Sequence, residues 1–151
     1  MPLIEASFVD SSGKSDNQKL LNFGPTVQTI VSPFELPEKP EDLQFRSVFS
    51  LLDTGASHSM IDFALAKELN LIPVDKVKIA GVAGAQDHLV FLARILVNQL
   101  DIEQYGQFVG ANLRDGGQEH DVLLGRDFLK NTIMIYDGIR AQVTIAAPKK
   151  A

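Results

Sequence analysis

The sequence predicts a mainly β domain, a small closed β-barrel with one clear helix and a second, shorter one, and three observations carry that prediction. Apolar segments are short, they are rich in Val, Ile, Leu and Phe with alternating stretches, and turn-forming residues separate them along the whole chain. At 151 residues the chain is the size of one domain, 1–151, and its 45% of hydrophobic residues suffices for an ordinary core.

Taken in order, the expected strands are Leu3–Val9, Pro25–Val31, Ser47–Leu52, Lys76–Ala80, Leu89–Val97, Gly106–Ala111, Thr132–Tyr136 and Ala141–Ala146. A helix is expected over Asp62–Asn70, because Asp62 can cap it and Phe63, Ala66 and Leu69 recur at helical spacing. The shorter helix is expected over Gly125–Asn131, with Phe128 and Leu129 turned inward after the apolar run Val122-Leu123-Leu124. Ser11–Asn17 is small and polar, and Leu36–Asp42 combines two prolines with alternating charges, so both read as loops.

The formal net charge is -5, and the basic residues are scattered apart from Lys149 and Lys150. With no basic patch, neither nucleic acid nor an anionic membrane is an expected partner. No stretch approaches the roughly 20 apolar residues of a membrane span, and the N-terminus lacks the pattern of an export signal. The chain has no cysteine, which excludes disulfides, thiolate catalysis and thiolate zinc sites and fits a cytoplasmic location.

The segment that carries chemistry is Phe49-Ser50-Leu51-Leu52-Asp53-Thr54-Gly55-Ala56-Ser57. An apolar strand delivers a carboxylate straight into a turn of small residues. An aspartate in an arbitrary Asp-x-Gly is usually a turn former, but here Thr54 offers a hydroxyl for a close backbone contact. Gly55 lets a partner backbone or a substrate approach without a Cβ in the way, while Ala56 and Ser57 keep the floor narrow. Asp-Thr-Gly occurs once, and the near match Asp10-Ser11-Ser12-Gly13 lacks the apolar approach and reads as a loop.

Other candidates have plainer readings. His58 beside the turn could be a general base, yet an exposed or hydrogen-bonded turn histidine accounts for it. His88 and His120 lack metal-ligand spacing, so no metal is expected. Asp115, Glu119, Asp121 and Asp127 surround Gly116-Gly117 without the ligand spacing of a calcium loop, and read as a solvated acidic loop. Gly81 and Gly84 lack the Lys and the helix of a phosphate loop and read as a hairpin tip.

With these segments in view, the chain resembles the retropepsin-like aspartic peptidases, above all their short bacterial members. The resemblance rests on Leu51-Leu52-Asp53-Thr54-Gly55-Ala56-Ser57 and on Met60-Ile61-Asp62 leading into Leu65–Leu71. It continues through Ile79–Ala85, Val122-Leu123-Leu124-Gly125-Arg126-Asp127-Phe128-Leu129, and Ile135–Gly138 with Val143–Ile145. It implies the acid-protease fold in a single-lobe subunit, with an N-terminal extension of about residues 1–23, since Asp53 lies deeper in the chain than in a minimal viral subunit. It implies Asp53, Thr54 and Gly55 as catalytic residues. Ala56, Ser57, Gly81, Val82, Ala83, Gly84 and Ala85 would contact substrate, the last five as the tip of a flap, and Leu124, Gly125 and Arg126 would support the turn. In the viral enzymes an acidic residue stands where this chain has Ser57 and pairs with the late arginine, so Arg126 must find another acceptor and is expected to fix the turn by bonding backbone carbonyls or a nearby carboxylate. One motif per chain implies a homodimer that hydrolyses peptides or unfolded proteins through two Asp53 carboxylates, with no cofactor. The alternative reading is a catalytically weak dimerisation or peptide-binding module of the same fold.

Overall fold

Burial alternates along the sheet's strands with the pleat: along Phe91–Val97, Phe91, Ala93, Ile95 and Val97 are buried while Leu92, Arg94 and Leu96 are only partly so. The computed structural model describes residues 1–82 and 84–149. Among these the chain forms β1 (Leu3–Ala6), α1 (Asn17–Phe23), β2 (Thr26–Pro33), β3 (Arg46–Leu52) and β4 (Met60–Asp62). It continues through α2 (Phe63–Glu68), β5 (Ile72–Gly81), β6 (Gly84–Val97), β7 (Ile102–Ala111), β8 (Val122–Leu124), α3 (Arg126–Leu129), β9 (Ile133–Asp137) and β10 (Gln142–Ala146).

The fold is mainly β, as expected. One sheet has the order β1-β10-β9 and the other the order β2-β3-β8-β4-β7-β6-β5. β2 also pairs with the far half of β6, from Ile30↔Leu96 to Pro33↔Ala93, which curls the larger sheet back on itself. Two pairings are parallel, β3 with β8 and β4 with β7; the rest are antiparallel. The enclosed core includes Phe8, Ile61, Ile95, Phe108, Val122, Leu124, Phe128 and Ile145, all essentially without solvent contact. Each such side chain contributes on the order of 1.5–3 kcal/mol by leaving water.

Asp62 caps α2 through its side chain, which accepts from the Ala64 N–H, and Leu65 and Ala66 face the core. The short helix after Gly125 also forms, over Arg126–Leu129. Four boundaries differ from the sequence reading by more than two residues. β1 stops at Ala6 because the chain then turns: Thr26 N donates to Ser7 O, and Val9 bridges Ser15 instead. β5 begins at Ile72, four residues early, and β6 at Gly84, five residues early, since the two pair from Ile72↔Leu92 to Gly81↔Gly84, with one register shift between Pro73 and Asp75, even though most β5 side chains are exposed. β7 begins at Ile102 for the same reason, pairing with β6 through polar residues such as Glu103 and Gln104. One helix was not expected at all: α1 starts where Asp16 caps Gln18 N, and it buries only Leu20. The first 23 residues are integral to the packing, with β1 paired to β10 and Phe8 enclosed. No helix among the described residues is long and apolar enough to cross a membrane.

Candidate active site

The Asp53 turn is built where three strands converge. β3 runs antiparallel to β2 and parallel to β8, with Leu51↔Leu123 and Leu52↔Leu124 in register. The ladder ends one step later, where Asp53 N donates to Leu124 O at 2.9 Å, so the expected position of Val122–Leu124 beside the turn is observed. Beyond that bond the chain folds over itself. Ala56 N donates to Asp53 O at 3.3 Å, and Gly55 N donates to the carboxylate oxygen Asp53 Oδ1 at 2.8 Å. A Cβ on Gly55 would sit 3.0 Å from that oxygen, tighter than an ordinary contact, so a larger residue here would press on the Asp53 carboxylate. Asp53 is half-buried, whereas Thr54, Gly55 and Ser57 are exposed.

The strand's two leucines divide. Leu52 enters the main core, and Leu51 joins a separate apolar cluster with Leu123, Ala111 and Leu113, against which Ala56 and Met60 pack. Because successive strand residues face opposite sides, this second cluster lies on the face reached from Leu51 and continues to Ala56 at the turn.

The late Gly-Arg-Asp segment clamps the turn from outside. A Cβ on Gly125 would lie 2.8 Å from Ala56 O and 2.9 Å from both the carbonyl carbon and oxygen of His58, so only glycine permits this approach. Arg126 N donates to Ala56 O at 2.8 Å, and Arg126 Nη1 donates to Thr54 O, also at 2.8 Å. The acceptor that Arg126 needed is thus a main-chain carbonyl of the turn. Asp127 does not belong to a solvated acidic loop. Its Oδ1 accepts from Ser59 Oγ at 2.7 Å and from Phe128 N at 2.9 Å, and its Oδ2 from Ser59 N at 3.0 Å. Ser59 Oγ also accepts from Gly125 N at 3.1 Å. Buried Ser59 is the residue that sequence reasoning missed; its only signal was a small hydroxyl before the apolar pair Met60-Ile61.

The residues assigned to the flap form one feature. β5 and β6 pair as a hairpin through Ala80↔Ala85 and Gly81↔Gly84, with Gly84 at φ +99° and Val82 fully exposed. Ala83, expected to contact substrate, lies outside the described residues. This tip shares no hydrogen bond with the Asp53 turn among the described residues. His58 Nδ1 bonds its neighbour Ser57 Oγ at 2.9 Å, while His88 and His120 bond the carbonyls of Gly110 and Val9. No group of three metal-ligating side chains is assembled among the described residues.

No curated protein sequence matches the chain significantly. Among solved structures it is similar to EIAV protease complexed with the inhibitor HBY-793, at 22% identity and a TM-score of 0.47, covering 70% of this chain and 85% of that one. The family model described as "gag-polyprotein putative aspartyl protease" matches residues 44–131. That match takes in more than half the chain, from before the Asp53 turn to beyond the Gly125-Arg126 clamp, and the protein belongs to this retropepsin-like aspartic peptidase family.

Proposed function

We propose that the chain is one subunit of a homodimeric aspartic endopeptidase in which two Asp53 carboxylates, one from each subunit, activate the water that hydrolyses a peptide bond. The observation that carries this reading is the placement of Asp53: a half-buried carboxylate at the end of an apolar strand, in a turn held by Leu124 O, Gly55 N and the Arg126 guanidinium. The β2–β6 pairing supports reading the curled sheet as the barrel of a single-lobe subunit.

A lone aspartate with a reference pKa of about 3.9 is ionised at neutral pH and is a weak base toward water. Two carboxyls brought to about 3 Å cannot both ionise cheaply, so the pair retains one proton over a wide pH range. The ionised oxygen then takes a proton from the shared water as it attacks the scissile carbonyl. The protonated oxygen polarises that carbonyl, and a proton later passes to the leaving nitrogen. One motif per chain requires the second carboxylate to come across a two-fold axis. In this reading the hairpin tip at Gly81, Val82, Gly84 and Ala85, with Ala83 between them, closes as a flap over an extended peptide bound through its backbone. The apolar cluster of Leu51, Leu123 and Ala56 supports a preference for apolar side chains beside the scissile bond.

The test compares wild type with Asp53→Asn on a library of unfolded polypeptides from about pH 3 to about pH 7, the range over which a carboxylate dyad changes its proton count. Wild type cleaves, faster on acidification, because a doubly ionised dyad lacks its acid; the variant does not cleave. Cleavage persisting in Asp53→Asn would place the activity elsewhere. A dimeric wild type silent at every pH would make the protein a binding module.

A further inference from the structure

The β5–β6 hairpin leaves the body of the protein at a defined fork. The β6–β7 ladder runs from Val97↔Ile102 to Val90↔Val109 and stops, whereas β6 continues toward Gly84 paired only with β5. β7 meanwhile turns its other edge to β4, with Met60↔Val109 and Ile61↔Gly110 in parallel register and Val109 N donating to Ser59 O at 3.0 Å. Past the fork the hairpin is a two-stranded ribbon whose residues from Gly84 to Asp87 are exposed, an arrangement that is marginally stable without outside support.

Leu89 packs against the core just beyond the fork, and two further contacts at the base of the ribbon converge on Gly110. His88, on the first turn of ribbon beyond the fork, places Nδ1 3.0 Å from Gly110 O. Phe91, one step inside the fork, packs edge-on against Phe63 of α2, with ring centroids 6.1 Å apart at 80°. A Cβ on residue 110 would lie 2.5 Å from Phe91 Cε2 and 2.9 Å from Phe63 Cε1, so glycine lets both rings close over the strand. A carbonyl only accepts, and so His88 Nδ1 must carry the proton.

We propose that His88 is a positioning residue that fastens the base of the β5–β6 hairpin to β7 through the Gly110 carbonyl, giving the hairpin a fixed hinge from which to close over a peptide. The closing motion rests on the reading of the hairpin as a flap; the fastening itself does not. A substrate strand held under a hairpin with a set base is bound at lower entropic cost than under one that sways. Loss of the fastening weakens ground state and transition state alike, raising KM more than it lowers kcat.

Two readouts test the fastening without reference to activity. In wild type, long-range proton–nitrogen NMR of the neutral imidazole shows the Nδ1–H tautomer at His88, against the Nε2–H preference of free histidine; an Nε2–H tautomer overturns the proposal, and this measurement needs no variant to fold. In His88→Leu, amide exchange over residues 76–88 speeds by about fivefold, the effect of losing one ordinary hydrogen bond. His88→Gln, which keeps a side-chain N–H donor, restores slow exchange. Unchanged exchange in His88→Leu, or equal acceleration in His88→Gln, overturns the fastening. On a cleaved peptide, His88→Leu raises KM severalfold with kcat nearly unchanged. If the tautomer and exchange results hold but KM does not move, the flap role fails while the hinge stands. If no peptide is cleaved by wild type, the failure belongs to the peptidase reading.

Discussion

Arg126 illustrates how much a single side chain does at this turn. Its guanidinium and its own amide hold Thr54 O and Ala56 O, the carbonyls on either side of Gly55. Both Arg126 and Thr54 are exposed, so water can replace part of the lost bonding, and Arg126→Ala costs only about 1 kcal/mol of folding stability. Activity falls more steeply, because Thr54 adjoins Asp53 and a small displacement of a catalytic group is amplified in rate. Denaturant unfolding and kcat/KM measured on the same preparation separate the two effects; wild-type values in both would remove Arg126 from the site. The arginine itself was legible in the sequence as a residue seeking an acceptor. The class of acceptor, a backbone carbonyl or a nearby carboxylate of the turn, was legible too; the particular atom was not, because it is a main-chain oxygen 72 positions away, and backbone carbonyls carry no sequence signal. Ser59 and Asp127 were illegible because their contact spans 68 positions, and a serine and an aspartate look alike in a loop or in a clamp.

At the scale of elements, apolar-rich strands such as β3 and the latter half of β6 could be read directly, whereas β5 could not be read in full. Its exposed Asp75, Lys76 and Lys78 carry no core signal, and only the pairing with β6 extends it. Helix α1 escaped notice because seven residues that bury Leu20 alone show no helical periodicity. Its one local signal is the cap: Asp16 Oδ1 accepts from Gln18 N at 3.0 Å. Asp16→Ala removes that acceptor and costs about 1 kcal/mol, read as a lower midpoint in urea with an unchanged slope; an unchanged midpoint would mean that tertiary contacts alone hold the helix. The preceding turn is held by Asp10, whose carboxyl lies below its usual range chiefly because the Ser12 hydroxyl donates to it, with the Lys14 and Ser12 amides adding to the effect. A carboxyl lowered in the folded state stabilises above its ordinary titration range and loses that contribution as the pH falls through the lowered value. The N-terminal turn therefore loosens toward acid.

For the whole molecule, the governing fact is that Asp-Thr-Gly occurs once in 151 residues. If catalysis needs two Asp53 carboxylates, the active species is a dimer, and specific activity falls on dilution with the dimer population. Dilution alone is ambiguous, since a monomeric enzyme can also be lost to surfaces or to unfolding. Mixing resolves it. When wild type and Asp53→Asn are combined in equal amounts and allowed to exchange subunits, random pairing leaves about one quarter of the dimers with two carboxylates. A dimer with one carboxylate and one amide cannot hold a shared proton between two acids, so it lacks the base or the acid that the reaction needs. Activity per wild-type chain therefore falls to about half, and falls further, in step with the fraction of variant, as more is added. If each chain worked alone, activity per wild-type chain would not change at any ratio. The mixture is assayed beside a size measurement at the same concentrations, so that a constant activity with demonstrated subunit exchange would remove the shared site.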